Sequence, residues 1–406
     1  MTENTRENLP GSRPGLPVIE VANAIVALLF AASAPVAIIL GAGVSGGLSQ
    51  ADLASWIFAA FAVNGVLTIG MSIAYRQPLA FFWTIPGTVL VGNALDHLSF
   101  EQVIGAYLLT ALLLFVLGIT GWVKAAMDRI PMPIVMGMVS GVFLSFGLNW
   151  IRSFEGNFLL VSIMTATFVF FSVIPGSLRR FPPMIGVLVA GMIVLFVQGN
   201  IPDLGSATTA SALIAPTLYV PDFSWAATLE LVVPLAVTVI AAQNAQGIAI
   251  LRAAGHNPPV SAITTACGGM SVVTAWFGCV STCLTGPSNA ILVSGGERNR
   301  HWQAAVLLGV LAIIFGIFSP LVTSLLLATP TAFMSTLAGL ALLRILQSAF
   351  QASFGQRFSL GALIAFLVTI GAPAIWGIGA PFWGLVFGIA TSLLMERDDF
   401  AVRSTP

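Results

Sequence analysis

The sequence predicts an all-α polytopic membrane protein with 14 transmembrane segments in a 7+7 inverted repeat. Three observations predict it. The chain is 57% hydrophobic and only 7% charged, whereas soluble domains carry about 25% charged residues. Apolar stretches of about 20 residues recur along its whole length, and each can cross a bilayer core of about 30 Å. The basic residues also collect on one side of the predicted topology.

The predicted segments form two sets of seven, separated by a long connection that contains Pro202, Pro216 and Pro221. Because seven is odd, the second set enters the membrane from the opposite side, which makes the repeat inverted. The polar start, through about Leu16, lacks a charged region followed by a short apolar region and a cleavage site, so we expect no cleavable signal peptide. The spans are predicted at 22–43, 53–75, 78–96, 102–123, 132–150, 157–175, 182–199, 229–251, 258–276, 279–296, 302–318, 321–343, 358–372 and 374–395. The corresponding regions are cytoplasmic tails at 1–21 and 396–406, a first repeat at 22–199, a linker at 200–228 and a second repeat at 229–395.

The positions of Lys and Arg support this count. With both termini in the cytoplasm, 14 of the 15 basic residues fall on the cytoplasmic side and only Arg152 lies outside. If spans 3 and 10 did not cross, the same 15 residues would divide 10 to 5. The charge pattern therefore favours a topology in which both spans cross.

Spans 3 and 10 contain related motifs, TIPGTVLVG at 84–92 and TGPSNAILV at 285–293. Each motif has Thr, a spacer and Pro, and each follows a segment rich in bulky or β-branched residues. Proline is favoured at the first position of a helix because its missing N–H is no loss there. We therefore expect each span to be half strand and half helix. Because an extended backbone in lipid leaves polar groups unpaired, the two strands should pair with each other.

Two half-helices that begin near the midplane would direct free N–H groups and positive dipole ends at a ligand, which favours an anion. The alternative is that the Thr-x-Pro motifs only kink packed helices. The candidate substrate-binding residues from these motifs are Thr84, Gly87, Thr88, Thr285, Gly286, Ser288 and Asn289.

Span 8 supplies three amides, Gln243, Asn244 and Gln246, which are costly in mid-membrane unless they face a cavity or another polar group. Substrate binding is favoured over helix–helix hydrogen bonding. Ser33 occupies the matching place in span 1, because LFAASAPVAIIL at 29–40 resembles VIAAQNAQGIAI at 239–250. Aromatic side chains could hold an apolar ring or simply pack. The candidates for ring contacts are Phe82, Trp83 and Phe277.

Other classes of function have little support. The net charge is zero and no basic tract is present, so we expect no nucleic-acid partner. The three Cys and three His have no metal-like spacing, and we find no nucleophile set or phosphate loop. We therefore expect no metal, no cofactor and no enzymatic activity. No acid lies firmly in mid-span, so the residues for proton coupling stay unknown.

Three segments together resemble the benzoate:proton symporter family of bacterial inner-membrane proteins: PLAFFWTIPGTVL at 78–90, AAQNAQGIAILRAAGHNPP at 241–259 and TCLTGPSNAILVSGG at 282–296. The resemblance covers essentially the whole chain. It implies a substrate site between spans 1, 3, 8 and 10. It also implies a core domain that moves against a gate domain. The core would comprise 22–123 and 229–318, and the gate 132–199 and 321–395.

The expected function is therefore import of benzoate, or a close aromatic carboxylate, together with a proton. The family is similar to a wider group of nucleobase and anion carriers with the 7+7 inverted repeat. Its nucleobase members use carboxylates where this chain has Gln243 or Asn244, and Asn289. The proton could travel on the substrate's carboxyl group or through Glu20 or Glu230. The alternatives are an inorganic-anion or nucleobase carrier of the same fold, or a passive anion channel. The expected partners are the substrate, a proton and the lipid bilayer, and a homodimer is left open.

Overall fold

Helices dominate the computed structural model, which describes residues 18–32, 34–123, 131–173, 183–199, 212–355, 357–371, 375 and 380–401. The first repeat contains α1 (Val18–Ala32), α2 (Ala34–Ser45), α3 (Gln50–Tyr75), β1 (Phe81–Trp83), α4 (Ile85–Ala94), α5 (Phe100–Thr120), α6 (Met132–Gly156), α7 (Phe158–Val173) and α8 (Pro183–Val197). The second contains α9 (Trp225–Ala253), α10 (Val260–Ala275), β2 (Thr282–Leu284), α11 (Gly286–Leu292), α12 (His301–Ile317), α13 (Ser319–Leu327), α14 (Thr331–Ser353), α15 (Ser359–Gly371), α16 (Ala380–Met395) and α17 (Arg397–Ala401).

The lengths of these helices fit a polytopic membrane protein. Within the described residues, 7 stretches are long and apolar enough to cross a bilayer, and further apolar helices have 10–17 residues. The two broken spans come in addition, because neither half-helix is long enough alone. The fold class predicted from the sequence is confirmed, while the exact number of segments stays a prediction.

The two Thr-x-Pro segments form the predicted strands and half-helices. Strands β1 and β2 pair antiparallel, with Phe82 opposite Cys283. The ladder continues on both sides, because the Thr84 N–H donates to Ser281 O and the Thr285 N–H donates to Ala80 O, each at 3.0 Å. These bonds satisfy the extended backbone in the interior of the protein, where a lone N–H or C=O costs several kcal/mol.

Some predicted boundaries are wrong. The twelfth span was predicted at 321–343, but the structure has a short helix α13 and a separate helix α14 that begins at Thr331. Pro330 separates them, since proline has no N–H to donate to a preceding turn and disfavours a helical residue before it. The predicted linker also ends too late, because α9 begins at Trp225, where the Ser224 hydroxyl accepts the Ala227 N–H at 3.5 Å.

Residues 212–224 form a strap across one end of the helices, which we call the linker end. The Thr217 N–H donates to Ser55 Oγ at 3.2 Å, and the Tyr219 N–H donates to Trp276 O at 3.0 Å. The Tyr219 hydroxyl donates to the Asp52 carboxylate. The strap is therefore fixed to the ends of α3 and α10.

The opposite end, which we call the arginine end, joins loops from both repeats. The Gln77 amide donates to Asn257 O at 2.9 Å, and the Arg76 guanidinium lies 4.4 Å from the centre of the Trp302 ring. The loop that follows α3 and the loops that precede α10 and α12 therefore meet in one cluster.

Two buried histidines lie in this cluster, with His256 Nε2 at 3.1 Å from His301 Nδ1. Burial, together with His301 and Arg298 nearby, lowers the pKa of His256 from 6.5 to about 4. The folded protein therefore binds fewer protons than the unfolded chain between these two values, so stability falls as pH decreases through this window.

We expect the melting temperature of the detergent-purified protein to fall between pH 6.5 and pH 4. In His256→Gln this fall should be smaller, because the group that resists protonation in the folded state is absent. Differential scanning fluorimetry across the pH series measures both. Equal pH dependence in the two proteins would contradict the assignment.

Glycines allow two helices of the interior to cross closely. A Cβ at Gly65 of α3 would lie 2.7 Å from Gly309 O of α12, and a Cβ at Gly309 would lie 2.7 Å from Gly65 O. Such reciprocal close approach is typical of membrane helices that pack through small residues. Gly70, on the same helix α3, has no neighbouring atom within 4 Å of a Cβ position.

Candidate functional site

A small cavity lies where the two broken spans meet the first span and the middle of α9. Both Thr-x-Pro motifs contribute to it, one through Ile85 and the other through Thr285, Pro287 and Ser288. The cavity is narrow and leaves room for little more than one water molecule. Its lining residues are Phe30, Ala31, Pro35, Phe82, Trp83, Ile85, Gln243, Thr285, Pro287 and Ser288.

Three polar atoms on lining residues have no hydrogen-bond partner: Gln243 Oε1, Thr285 Oγ1 and Trp83 Nε1. Gln243 is only 6% exposed and Thr285 only 8% exposed. Buried polar atoms in native proteins are almost always hydrogen-bonded, so each exception calls for an explanation. A ligand that supplies the missing partners explains them.

The backbone of α9 determines how its amides are used. Residues Thr238–Asn244 form a π-helical stretch, a local irregularity that is frequent at functional sites. Gln243 faces the cavity, whereas the neighbouring Asn244 accepts the Leu284 N–H at 2.7 Å and so holds β2 in place. One predicted site amide lines the cavity, and the other satisfies the strand backbone.

Residues of the first Thr-x-Pro motif form hydrogen bonds with each other. Thr84 Oγ1 accepts the Gly87 N–H at 3.2 Å and donates to Thr238 Oγ1 at 3.1 Å. The Thr88 hydroxyl donates to Thr84 O at 3.0 Å. The first half-helix therefore uses its own Thr84 as an N-cap, and fewer free N–H groups remain than the sequence suggested.

The second motif differs. Thr285 makes no capping hydrogen bond to α11, which is only 7 residues long. Asn289 is fully buried and holds the strand pair, because its Oδ1 accepts the Ala80 N–H at 3.1 Å and its Nδ2 donates to Thr285 O at 2.6 Å. Gln246 is exposed and packs against Gly286. Asn289, Gln246 and Gly286 do not line the cavity.

The predicted aromatic residues separate into two places. Phe82 and Trp83 line the cavity, and the ring of Phe61 packs against both at centroid distances of 5.4 and 5.2 Å. Phe277 lies beside Phe58 instead, at 5.6 Å, near the linker end.

Five lining residues were not predicted from the sequence: Phe30, Ala31, Pro35, Ile85 and Pro287. The first three lie in LFAASAPVAIIL at 29–40, the segment around Ser33 that resembles part of span 8. Ser33 itself lies outside the described residues.

A wider vestibule with both polar and apolar lining residues opens at the linker end, between α2 and α4 on one side and α6 and α14 on the other. Asn93, Asp96 and Asn149 are among its lining residues. Close to it, His97 Nε2 lies 2.9 Å from the buried carboxylate of Glu230. Glu20, the other acid considered from sequence, is buried at the arginine end beside Gly296.

The small cavity combines flat apolar walls with a few unpartnered polar atoms, and no described lining side chain is ionisable. Its chemistry suits a compact ligand with an apolar ring and one small polar group. Among the described residues, no cluster of His, Cys, Asp and Glu could hold a metal ion.

Sequence comparison gives full-length relatives. Inner membrane protein YdcO of Escherichia coli (strain K12) is 30% identical over 383 residues, which cover 92% of this chain and 96% of the relative. The benzoate membrane transport protein of Acinetobacter baylyi is 28% identical over 382 residues, covering 92% and 94% of the two chains.

Solved structures with the same fold are transporters. The transmembrane domain of the cyanobacterial bicarbonate transporter BicA matches with a TM-score of 0.55 at 13% identity, covering 91% of this chain and 97% of that one. Murine Slc26a9, an anion transporter solved in the inward-facing state, matches with a TM-score of 0.62 at 13% identity, covering 95% and 69%. At this identity the likeness shows the fold alone.

The sequence profile described as benzoate membrane transport protein matches residues 16–394. That match spans nearly the whole chain and agrees with the related sequences and with the transporter fold. The chain is thus a multi-pass membrane transporter and belongs to the benzoate membrane transport protein family.

Proposed function

We propose that this protein imports benzoate, or a closely related aromatic carboxylate, together with a proton across the bacterial inner membrane. The observation that carries the proposal is the cavity at the junction of the two broken spans. The rings of Phe82 and Trp83 offer apolar surface to an aromatic ring, while Gln243, Thr285 and Ser288 offer polar atoms to a carboxyl group.

The packing of the helices supports a moving core and a fixed gate. Helix α5 packs along α10, and α3 packs along α12, whereas α6 packs along α14 and α15. The vestibule lies between α2 and α4 of the predicted core and α6 and α14 of the predicted gate. Because the cavity is too narrow for an aromatic ring, substrate entry requires its walls to separate, which movement of one group against the other would achieve.

The orientation follows from the basic residues. If the arginine end faces the cytoplasm, as the positive-inside rule requires, the vestibule opens toward the outside. The substrate would then approach past Asn93 and Asn149 before it reaches the cavity.

Uptake of radiolabelled benzoate into proteoliposomes tests the function. We expect accumulation against a concentration gradient when the outside is acidic relative to the lumen, and loss of accumulation when a protonophore collapses that gradient. Uptake that only equilibrates benzoate, with or without a pH gradient, would indicate a passive channel and contradict the proposal.

An inorganic-anion or nucleobase carrier is the competing assignment, and the fold shared with bicarbonate and anion transporters favours the first of these. Competition separates them. Unlabelled benzoate should inhibit uptake of labelled benzoate, whereas bicarbonate, sulfate and uracil at the same concentration should not. Inhibition by bicarbonate, sulfate or uracil as strong as that by unlabelled benzoate would contradict the proposed substrate.

A further inference from the structure

We propose that the cavity binds the aromatic acid in its neutral, protonated form, so that the coupled proton crosses the membrane on the substrate's own carboxyl group. This inference rests on the proposed function. It concerns which chemical species the site recognises, and therefore where the proton resides during transport.

The unpartnered oxygen of Gln243 is the first reason. A carboxamide presents one acceptor and one donor side by side, and a carboxylic acid presents the complementary O–H and C=O. The two groups can form a pair of parallel hydrogen bonds, whichever way the amide is turned. A carboxylate has acceptors only, so it would leave Gln243 Oε1 without a partner and place an anionic oxygen beside it.

The absence of charge in the cavity is the second reason. No described lining residue is ionisable, and Thr84 occupies part of the half-helix end that would otherwise attract an anion. Burial raises the pKa of a carboxyl group, by up to about 5 units in a fully buried site. An aromatic acid has a pKa of about 4, close to those of Asp and Glu, so a shift near this upper limit keeps the bound acid neutral at pH 7.

The position of the protein's own acids is the third reason. Glu230 is paired with His97 near the linker end and lies thirteen residues before Gln243 on α9, which is about 20 Å of helix. Glu20 lies at the opposite end, beside Gly296. Cys283 is two residues before Thr285 in the sequence, but its side chain packs in an apolar cluster separate from the one that contains Phe82 and Trp83. None of these groups is placed to exchange a proton with a ligand bound at Gln243.

The proton balance is simple. Outside, benzoate takes one proton from water to give benzoic acid, whose O–H donates to Gln243 Oε1 in the cavity. After release into the less acidic cytoplasm the acid loses that proton. One proton and one benzoate anion therefore enter together, no net charge crosses, and no protein side chain changes its protonation.

Benzamide is the probe that tests this inference, because it is neutral at all relevant pH values and has the shape of benzoic acid. We expect benzamide to compete with labelled benzoate in wild-type proteoliposomes, with an inhibition constant that does not change between pH 6 and pH 8. Over the same range, the KM for total benzoate should rise about tenfold per pH unit, because the neutral fraction falls tenfold.

One variant tests the role of Gln243 on the purified protein. Gln243→Leu removes both hydrogen-bonding atoms, so benzoate and benzamide should both lose their thermal-shift response. The matched control is Gln347→Leu, at an exposed glutamine of α14, which should respond to both ligands as wild type does.

The outcomes of these experiments are separable. If benzoate is transported but benzamide neither competes nor shifts the melting temperature, the site recognises the anion and the inference is overturned while the proposed function stands. If benzoate is not transported at all, both fail. The wild-type competition assay does not depend on any variant folding correctly.

Discussion

Replacement of Asn289 by alanine is expected to destabilise the protein strongly and to abolish transport as a consequence. Its side chain accepts the Ala80 N–H and donates to Thr285 O, so it joins both broken spans at the strand pair. Alanine would leave the Ala80 N–H unpaired in the interior, which costs about 1–3 kcal/mol for a buried donor and more inside a bilayer.

The melting temperature in detergent and the monodisperse yield from size-exclusion chromatography measure this loss, and Asn257→Ala is the matched control. Asn257 lies in an exposed loop at the arginine end, so its variant should behave as wild type. If Asn289→Ala kept the wild-type melting temperature but lost benzoate uptake, Asn289 would act in substrate binding, as the sequence alone suggested.

Replacement of Gly65 by leucine is expected to prevent correct folding, whereas the same replacement at Gly70 should be tolerated. Any side chain at Gly65 would meet the backbone of Gly309, at 2.7 Å from its carbonyl oxygen. A real Cβ does not approach backbone so closely, and α12 would have to move away from α3. Gly70 is on the same helix with open space around it.

Expression level and size-exclusion profile of the two leucine variants give the comparison, which controls for helix propensity and for the change in hydrophobicity. We expect aggregation or very low yield for Gly65→Leu and a wild-type profile for Gly70→Leu. Similar profiles for both variants would show that the crossing of α3 and α12 can widen without cost.

The strand-to-helix transitions could be predicted from sequence because their causes are local. Pro86 and Pro287 are favoured at the start of a helix and disfavoured in its interior, and the need to satisfy an extended backbone in lipid then requires the strands to pair. The fold class follows from the same reasoning together with the hydrophobic spans and the basic residues. Pro330 is an equally local signal for the separation of α13 and α14, but the continuous hydrophobic stretch around it led to the prediction of a single span.

Which predicted residues line the cavity and which hold the strands in place could not be predicted, because this depends on tertiary contacts. Gln243 and Asn244 are adjacent amides at the end of the π-helical stretch of α9, yet the first lines the cavity and the second holds β2. Thr84 and Thr285 occupy equivalent places in the two motifs, but only Thr84 caps its helix. Phe277 was placed at the site because it precedes a broken span, whereas the turn at Gly278 carries it away.

The exchange of hydrogen bonds between β1 and β2 has a consequence for biogenesis. Each repeat contributes one short extended segment, and the backbone-to-backbone hydrogen bonds of the strand pair join it to the segment of the other repeat. When only the first repeat has been synthesised and inserted, β1 therefore lacks its pairing strand, because β2 lies about two hundred residues downstream. Separately synthesised halves should be stable only as a co-assembled pair.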